Sequence, residues 1–147
     1  MIELHTIYPV NQEMLQFLFD LLSKRDAYVN ISHDPDHMPT WDEHVDFVCR
    51  MPYRKWWVIM AKVRMSKDSY QTAQIGAAYL SKQNEIGIQI IREHRRKGFG
   101  RATLIEIKKM FKGERLLWNV NPLNIESKKL VEGVGGRAIQ HTYEIKD

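Results

Sequence analysis

Hydrophobic and polar positions in the first part of the chain predict one strand and two helices. Residues 1–8 form a predicted strand that Pro9 ends. Asn11 is a favoured helix cap, and residues 14–22 are apolar at seven of nine positions, which predicts a helix buried on almost every side. The segment 40–43, Thr-Trp-Asp-Glu, has the capping-box spacing that predicts the start of a second helix.

The segment 26–39 between these helices is rich in Asp, Pro and His and has no sustained period, so a loop is predicted. Residues 33–37, His-Asp-Pro-Asp-His, mix imidazole and carboxylate as metal sites do. Because the cluster contains proline and no further pair of ligands follows it, a loop lining is favoured over a metal site. No metal is expected.

The remainder of the chain alternates between the two-residue period of strands and the 3.6-residue period of helices. It predicts strands at 56–65, 73–80, 85–91, 116–120 and 138–145, and helices at 101–112 and 125–134. The element order is therefore βααβββαβαβ. This order predicts a mixed α/β fold, with a central sheet of about six strands flanked by about four helices.

Length and composition set limits on this fold. The chain has 147 residues, of which 44% are hydrophobic, and residues 1–147 are expected to form a single domain. Cys49 is the only cysteine, so no internal disulfide can form. The N-terminal residues do not resemble a signal peptide, and no apolar run approaches the length that crosses a bilayer. A cytoplasmic location is expected.

The net charge of +4 would suggest a nucleic-acid partner, but its distribution favours another interpretation. Residues 1–50 carry three basic and nine acidic side chains, whereas residues 92–115 carry nine basic and three acidic ones. An acidic first third and a basic centre suggest two different ligands on one domain. Solvated charged faces without function are the alternative.

The basic centre contains a glycine loop, Glu-His-Arg-Arg-Lys-Gly-Phe-Gly-Arg at 93–101, between a predicted buried strand and a predicted helix. Glycines at positions 98 and 100 let a ligand approach the backbone, and the first N–H groups of a helix have no partners within it. The helix dipole adds about half a positive charge at this end. Four cations surround these donors, which favours a multiply charged pyrophosphate over a solvated turn.

Two common phosphate loops are excluded. A Walker A loop needs Gly-Lys-Ser/Thr, which is absent, and the dinucleotide fingerprint needs a third glycine where Thr103 stands. The remaining pattern, Arg-x-x-Gly-x-Gly at Arg95, Gly98 and Gly100, resembles the acyl-CoA pyrophosphate loop of the GNAT superfamily of N-acetyltransferases. The predicted element order resembles that superfamily over nearly the whole chain.

A second segment, Asn-Pro-Leu-Asn-Ile-Glu-Ser at 121–127, resembles the Asn-x-x-Ser signature of the same superfamily. The resemblance implies acetyl-CoA as the acyl donor. It implies pyrophosphate contacts from Arg95, Arg96, Lys97, Gly98, Phe99, Gly100 and Arg101, pantetheine contacts from Ile90, Ile91 and Asn124, and further contacts from Ser127 and Lys128. Helix capping alone is the alternative role for Asn124.

The chain departs from the superfamily pattern at one position of consequence. Many members carry a Tyr seven residues after the Asn, where it can protonate the thiolate of CoA, and this chain has Val131 there. The proton could instead come from His141, Tyr143 or water. A thiol with a pKa of about 8.5 can also leave without an acid.

The attacking amine needs a base, because an ammonium group has no lone pair. Glu85 begins the strand that leads to the glycine loop, and proteins of this resemblance often use an acid there, commonly through water. His44 on the second helix is the other candidate. An exposed hairpin carboxylate and a packed core histidine are the respective alternatives.

The acceptor is expected to be the primary amine of a small molecule. Trp41, Tyr53, Trp56 and Trp57 could stack on a sugar or base, and the resemblance extends weakly to members that modify amino sugars. The acidic excess of residues 1–50 would attract a cationic amine. We therefore expect an acetyltransferase that acts by direct transfer, with no membrane or nucleic-acid partner; a homodimer is left open. A non-catalytic acyl-CoA-binding module is the alternative.

Overall fold

The structure is a computed structural model that describes residues 1–25 and 37–147. The elements follow the predicted order up to the last helix. They are β1 (Ile2–Thr6), α1 (Gln12–Ser23), α2 (Trp41–Cys49), β2 (Lys55–Ser66), β3 (Ser69–Leu80), β4 (Glu85–Ile90), a short 3₁₀ turn (Arg92–His94), α3 (Phe99–Met110), β5 (Leu117–Trp118) and α4 (Ile125–Gly133).

The five strands form one sheet in the order β1-β2-β3-β4-β5. The first three neighbouring pairs are antiparallel, and β4 and β5 are parallel. The parallel pair needs a crossover connection, which α3 supplies. The predicted mixed α/β class with flanking helices is thus confirmed.

Each face of the sheet is covered by helices. Leu15, Leu18 and Leu21 of α1 pack with Val48 of α2 against one face, as the apolar stretch 14–22 predicts. Leu104 and Ile107 of α3 pack against the other face, with Leu130 of α4 beside them. The sheet therefore lies between two helical layers, and its strands expose side chains to both.

A bulge in β3 changes which side chains face each layer. Ile59 pairs with Gly76 and Met60 with Gln74, so Ile75 has no direct partner on β2. A bulge of one residue shifts the two-residue alternation of a strand. Ile75 therefore packs on the α3 face together with Ala78, although the two residues are three positions apart.

The helix caps form as the sequence predicts. The Asn11 side chain accepts from the N–H of Met14 at 2.8 Å. The Thr40 hydroxyl accepts from the N–H of Glu43 at 3.2 Å, and the Glu43 carboxylate accepts from the N–H of Thr40 at 3.1 Å. These hydrogen bonds with Thr40 hold the pKa of Glu43 below its ordinary value.

The C-terminal segment differs from the prediction. Residues 136–147 form no strand, and Ile139, Tyr143 and Ile145 are 55%, 83% and 95% exposed. The segment has the alternation of a strand, but β5 is only two residues long and offers a very short edge for pairing. The predicted strand at 138–145 is therefore wrong, although the fold class is unaffected. Among the described residues, no helix is both long and apolar enough to span a membrane.

Candidate active site

Strands β4 and β5 lie side by side only where they begin. Glu85 pairs with Leu117 and Ile86 with Trp118, and β5 ends there while β4 continues to Ile90. Beyond Ile86, no strand within residues 1–25 and 37–147 adjoins β4 on this side. The opening beside residues 87–90 is called the β4–β5 gap below.

The hydrogen-bond alternation of β4 determines which backbone groups face this gap. The N–H of Ile91 donates to the carbonyl of Ile75 on β3 at 2.8 Å. Because backbone groups of successive strand residues point to opposite sides, the even-numbered residues Ile88 and Ile90 direct theirs into the gap. Backbone N–H and carbonyl groups of β4 therefore line one side of the gap.

The expected role of Ile91 is contradicted by this register. Its N–H is bonded to β3, and its carbonyl accepts from the N–H of His94 at 2.9 Å. Both backbone groups of Ile91 are thus occupied within the chain. The backbone groups of Ile88 face the gap instead. The two-residue period of a strand, counted back from Ile90, would have identified this residue in the sequence.

The N-terminus of α3 presents free backbone donors. Gly98 caps the helix with φ 83°, in the left-handed region that favours glycine. The N–H groups of Phe99, Gly100 and Arg101 have no backbone acceptor within the described parts of the chain. A Cβ on Gly100 would meet only Leu130, at 3.7 Å, and the first turn contains no acidic residue. This helix end can therefore bind an anion.

The four predicted cations around this helix end do not all point the same way. Arg95 donates from Nε to the carbonyl of Ile90 at 2.8 Å, so this carbonyl at the β4–β5 gap already has a partner. Arg96 pairs with Glu126 of α4 at 2.9 Å, across an exposed surface. Lys97 and Arg101 are exposed and form no ion pair with any described residue. These two cations are therefore available to an anion on α3.

The start of α4 borders the other side of the gap. The Asn124 side chain caps α4 by accepting from the N–H of Ser127 at 3.1 Å. The Ser127 hydroxyl accepts from Nε1 of Trp118, the last residue of β5, at 2.9 Å. Lys128 is exposed and lies 4.0 Å from Glu132. Asn124 therefore has the capping role that the sequence left as an alternative.

A cavity of about 210 Å³ extends from the gap to the first helical layer. Its lining is mainly apolar and aromatic, and side chains from α1, α2, the central strands, β5 and α4 contribute to it. The lining residues are Leu18, Leu21, Leu22, Arg25, His44, Phe47, Tyr53, Trp56, Ala77, Tyr79, Ile86, Gly87, Ile88, Gln89, Trp118, Asn119, Asn121, Asn124 and Ser127. A molecule in this cavity would lie beside the exposed edge of β4.

Four aromatic side chains, Phe47, Tyr53, Trp56 and Tyr79, form one side of the cavity and are called the aromatic wall. The rings of Tyr53 and Tyr79 are stacked, with centroids 4.0 Å apart, and Trp56 meets Tyr53 edge to face at 4.8 Å. The ring of Tyr79 lies so close to Gly87 that a Cβ there would be 2.2 Å from it. Gly87 is thus required for this packing.

Two of the four aromatic residues proposed from the sequence line the cavity, and two do not. Tyr53 and Trp56 line it. Trp57 is 6% exposed and packs on the opposite face of the sheet. This is expected because Trp57 directly follows Trp56 on β2, and successive side chains of a strand point to opposite faces. Trp41 packs with Phe19 in the first helical layer. Tyr79 was missed because its place opposite Tyr53 depends on strand register.

Burial changes the acid chemistry of one wall residue. Desolvation raises the pKa of the Tyr53 phenol well above its ordinary value, and the neighbouring Tyr79 raises it further. Tyr53 is therefore protonated at neutral pH, so its hydroxyl can donate a hydrogen bond to a ligand. The guanidinium of Arg25, which lines the same cavity, lowers this pKa.

The charge of the lining differs from the sequence expectation. Among the described residues that line the cavity, Arg25 is the only one of the types Arg, Lys, Asp and Glu. The acidic side chains counted in residues 1–50 include Asp20, Asp42 and Asp46, which are exposed. The described lining residues therefore include no carboxylate that would attract a cationic amine.

Glu85 lies beside the cavity but does not line it. Its carboxylate accepts a hydrogen bond from the amide of Asn119, which is a lining residue. Its backbone N–H donates to the Ser81 hydroxyl at 2.9 Å. Glu85 can therefore reach a bound amine only through a bridging molecule.

His44 lines the cavity, yet neither ring nitrogen is open to it. The side chain is 2% exposed, and Nε2 lies 2.9 Å from the carbonyl of Leu15. Because a carbonyl only accepts, Nε2 carries the proton; Nδ1 is buried and has no partner in the described part of the chain. This geometry contradicts a role for His44 as the base and gives the packed alternative.

Neither of the two side chains considered for the thiolate proton, His141 and Tyr143, lines the cavity, and Val131 cannot donate a proton. Val131 packs against Gly136, where a Cβ would lie 2.6 Å from its side chain. His141 and Tyr143 belong to the exposed C-terminal segment and are absent from the described lining. Water is therefore the proton donor that we carry forward for the thiolate.

Most of the His and Asp cluster at 33–37 lies outside the described residues. Only His37 of that cluster is described, and it is exposed. Within residues 1–25 and 37–147, no three His, Cys, Asp or Glu side chains are grouped as metal ligands would be.

Comparison with solved structures identifies the fold. A domain from Methanocaldococcus jannaschii superposes with a TM-score of 0.73 at 21% identity, over 98% of this chain and 93% of that domain. The spermidine N-acetyltransferase of Vibrio cholerae, solved with CoA and spermine, gives a TM-score of 0.67 at 19% identity, over 91% of this chain and 79% of that one. A Trypanosoma brucei acetyltransferase gives 0.57 at 14% identity, over 99% of both chains.

No protein-family model matches the chain, and no curated protein matches its sequence. The structural similarity therefore establishes the fold. The chain shares its fold with these acetyltransferases, in agreement with the fold that the element order predicted.

Proposed function

We propose that the protein is an N-acetyltransferase that moves the acetyl group of acetyl-CoA to the primary amine of a small molecule. One juxtaposition carries this proposal. The free amides at the start of α3 follow the open edge of β4 along the chain, and that edge borders the cavity. An anion site, a strand edge and a pocket in this order suit the parts of an acyl-CoA in turn.

The donor would bind mainly to backbone groups. The N–H groups of Arg96, Gly98, Phe99, Gly100 and Arg101 would hold the pyrophosphate, with Lys97 and the Arg101 side chain adding charge. The amides of pantetheine would pair with the backbone of Ile88 and with the N–H of Ile90, as a neighbouring strand would. This arrangement would direct the thioester into the cavity.

The reaction would be a direct transfer in a ternary complex. The neutral amine nitrogen attacks the thioester carbonyl carbon and forms the C–N bond, and the C–S bond breaks so that sulfur leaves with its electron pair. The attacking nitrogen loses its proton, and the thiolate takes one from water. Cys49 is exposed at the end of α2 and away from the lining residues, so no acyl-enzyme is proposed.

Glu85 is the proposed base, acting through a bridging water. Its carboxylate is held by Asn119 at the edge of the cavity, so a water between the amine and Glu85 would carry the proton. A carboxylate oxygen can accept that proton. His44 is not proposed for this role.

The acceptor class is a small-molecule amine. The Vibrio cholerae protein with the same fold was solved with spermine, an amine, which supports this class. Within it, an amino sugar, free or linked to a nucleotide, is a candidate because the aromatic wall offers surfaces on which a sugar ring can stack. Val131 at the usual Tyr position favours the second candidate function, a binding module without catalysis.

Two measurements on the intact protein test the proposal. Isothermal titration measures acetyl-CoA binding, and a thiol reagent measures CoA release over a panel of amines. Binding with amine-dependent thiol release is expected. Binding without release for any amine would favour the non-catalytic module, and no binding would contradict both.

A further inference from the structure

The guanidinium of Arg25 has an unusual position for an arginine. The residue follows α1 and lines the cavity, and its NH1 nitrogen is buried without a hydrogen-bond partner among residues 1–25 and 37–147. A buried donor without a partner costs free energy, and more so when it is charged. A ligand that accepts from this nitrogen would remove that cost.

The position of Arg25 is fixed by the surrounding backbone. Its N–H donates to the carbonyl of Leu22 at 3.3 Å. The carbonyl of Leu21 accepts from the Gln89 side chain of β4 at 2.7 Å, which ties the end of α1 to the sheet. The end of α1 is therefore held beside the exposed edge of β4, where the acceptor would react.

The remaining polar lining groups include no carboxylate, ammonium or second guanidinium. They are the amides of Gln89, Asn119, Asn121 and Asn124, the hydroxyls of Tyr53, Tyr79 and Ser127, and the imidazole of His44. No carboxylate of the described residues faces Arg25 from this lining. The described part of the cavity thus combines an aromatic surface with one cation.

We propose that the acceptor amine carries an anionic group, a carboxylate or a phosphate, which Arg25 binds while the body of the acceptor packs against the aromatic wall. This inference rests on the proposed function and narrows its substrate class. Arg binds planar carboxylates and phosphates through paired N–H donors. A polyamine would meet a like charge here, so polyamines would be poor acceptors.

The test compares matched acceptors that differ in the anion. Phenylalanine is compared with 2-phenylethylamine for the carboxylate, and glucosamine 6-phosphate with glucosamine for the phosphate; spermidine represents the polycations. Arg25→Met removes the charge and keeps an apolar side chain. Lys24→Met is the matched control, because Lys24 is the adjacent cation and is exposed.

In the wild type, the anionic member of at least one pair is expected to have a kcat/KM at least about 10-fold higher than its neutral partner. Arg25→Met should remove this preference and leave the neutral member within about 3-fold, while Lys24→Met should keep it. The pair that shows the preference identifies the anion. Equal use of both members of both pairs, or an unchanged preference in Arg25→Met, would overturn the proposal.

Acetyl-CoA binding separates this proposal from the proposed function. Titration of Arg25→Met with acetyl-CoA should give the wild-type affinity. If the protein binds acetyl-CoA but releases no thiol, the proposed catalysis fails, and titration of the CoA-bound protein with phenylacetate, phenylacetamide and inorganic phosphate decides the role of Arg25. If phenylacetate or phosphate binds more tightly than phenylacetamide, and Arg25→Met loses this difference, the anion-binding role of Arg25 is supported. Equal binding of the three probes contradicts that role.

Discussion

The two ends of the candidate site are built in different ways. The proposed donor end consists largely of backbone groups from one continuous segment, the end of β4, the 3₁₀ turn and the start of α3. The acceptor end consists of side chains from α1, α2, the central strands and the loop after β5. A site made of backbone can accept many surrounding side chains, whereas a site made of side chains can change its ligand by single substitutions.

The largest effect is expected at the donor end, from Gly100→Asp. A carboxylate on the first turn of α3 would place a like charge against the pyrophosphate, which should weaken acetyl-CoA binding about 1,000-fold. Gly100→Ala is the matched control, because a Cβ there meets only Leu130 at 3.7 Å. It should bind within about 3-fold of wild type. Calorimetric titration measures the acetyl-CoA affinity of both variants. If Gly100→Asp folds and binds acetyl-CoA as tightly as wild type, the pyrophosphate site does not lie at the start of α3.

Glu85→Gln tests the connection between the two ends. The amide keeps a partner for Asn119 but cannot take a proton, so kcat for a true acceptor should fall about 100-fold. Acetyl-CoA binding should be unchanged in the same protein. A rate within about 3-fold of wild type would assign the base to another group.

A smaller effect is expected from the aromatic wall. Trp56→Ala removes one stacking surface and should raise the acceptor KM about 10-fold, with little change in acetyl-CoA affinity. Trp56→Phe keeps an aromatic ring and should recover most of the loss. Steady-state kinetics at saturating acetyl-CoA measure the effect; equal loss in both variants would show that Trp56 supports packing rather than the acceptor.

The smallest effect is expected outside both ends, at the ion pair between Arg54 and Glu114. The two nitrogen–oxygen distances are 2.7 and 3.1 Å, and the hydrogen bond from Arg54 lowers the pKa of Glu114. A lowered pKa in the folded state stabilises the protein above the ordinary value of 4.5, and this contribution is lost as the pH falls through the folded pKa.

Glu114→Gln should therefore lower Tm slightly at pH 7, because exposed pairs contribute little. The difference from wild type should disappear as the pH falls below about 4.5. Thermal melts across this range measure it. A Tm difference that grows on acidification would contradict the assigned charge state, and catalysis at pH 7 should be unaffected.

The place of the glycine loop at the start of a helix could be predicted from the sequence because its determinants are local. The glycines at 98 and 100 follow a strand and open a helix, and that order alone predicts an anion site. The error at Ile91 concerned register, since a shift of one position turns a backbone group from the gap to β3. The predicted strand at 138–145 failed because alternation does not supply a partner edge.

The acceptor end was less predictable for a physical reason. Its residues come together through tertiary packing, and their spacing along the chain carries no signal for it. Arg25 follows a buried helix, and Tyr79 reaches Tyr53 only through the pairing of β2 with β3. The count of acidic residues suggested a cation trap, yet the described lining has its one formal charge on Arg25.

The most direct test of acetyl transfer is the release of CoA thiol from acetyl-CoA by the wild-type protein, with and without each amine of the panel. Release that depends on the amine, with one acetylated amine formed for each thiol, is the predicted result. Protein saturated with acetyl-CoA that releases no thiol for any amine, including the carboxylate- and phosphate-bearing members, would contradict it.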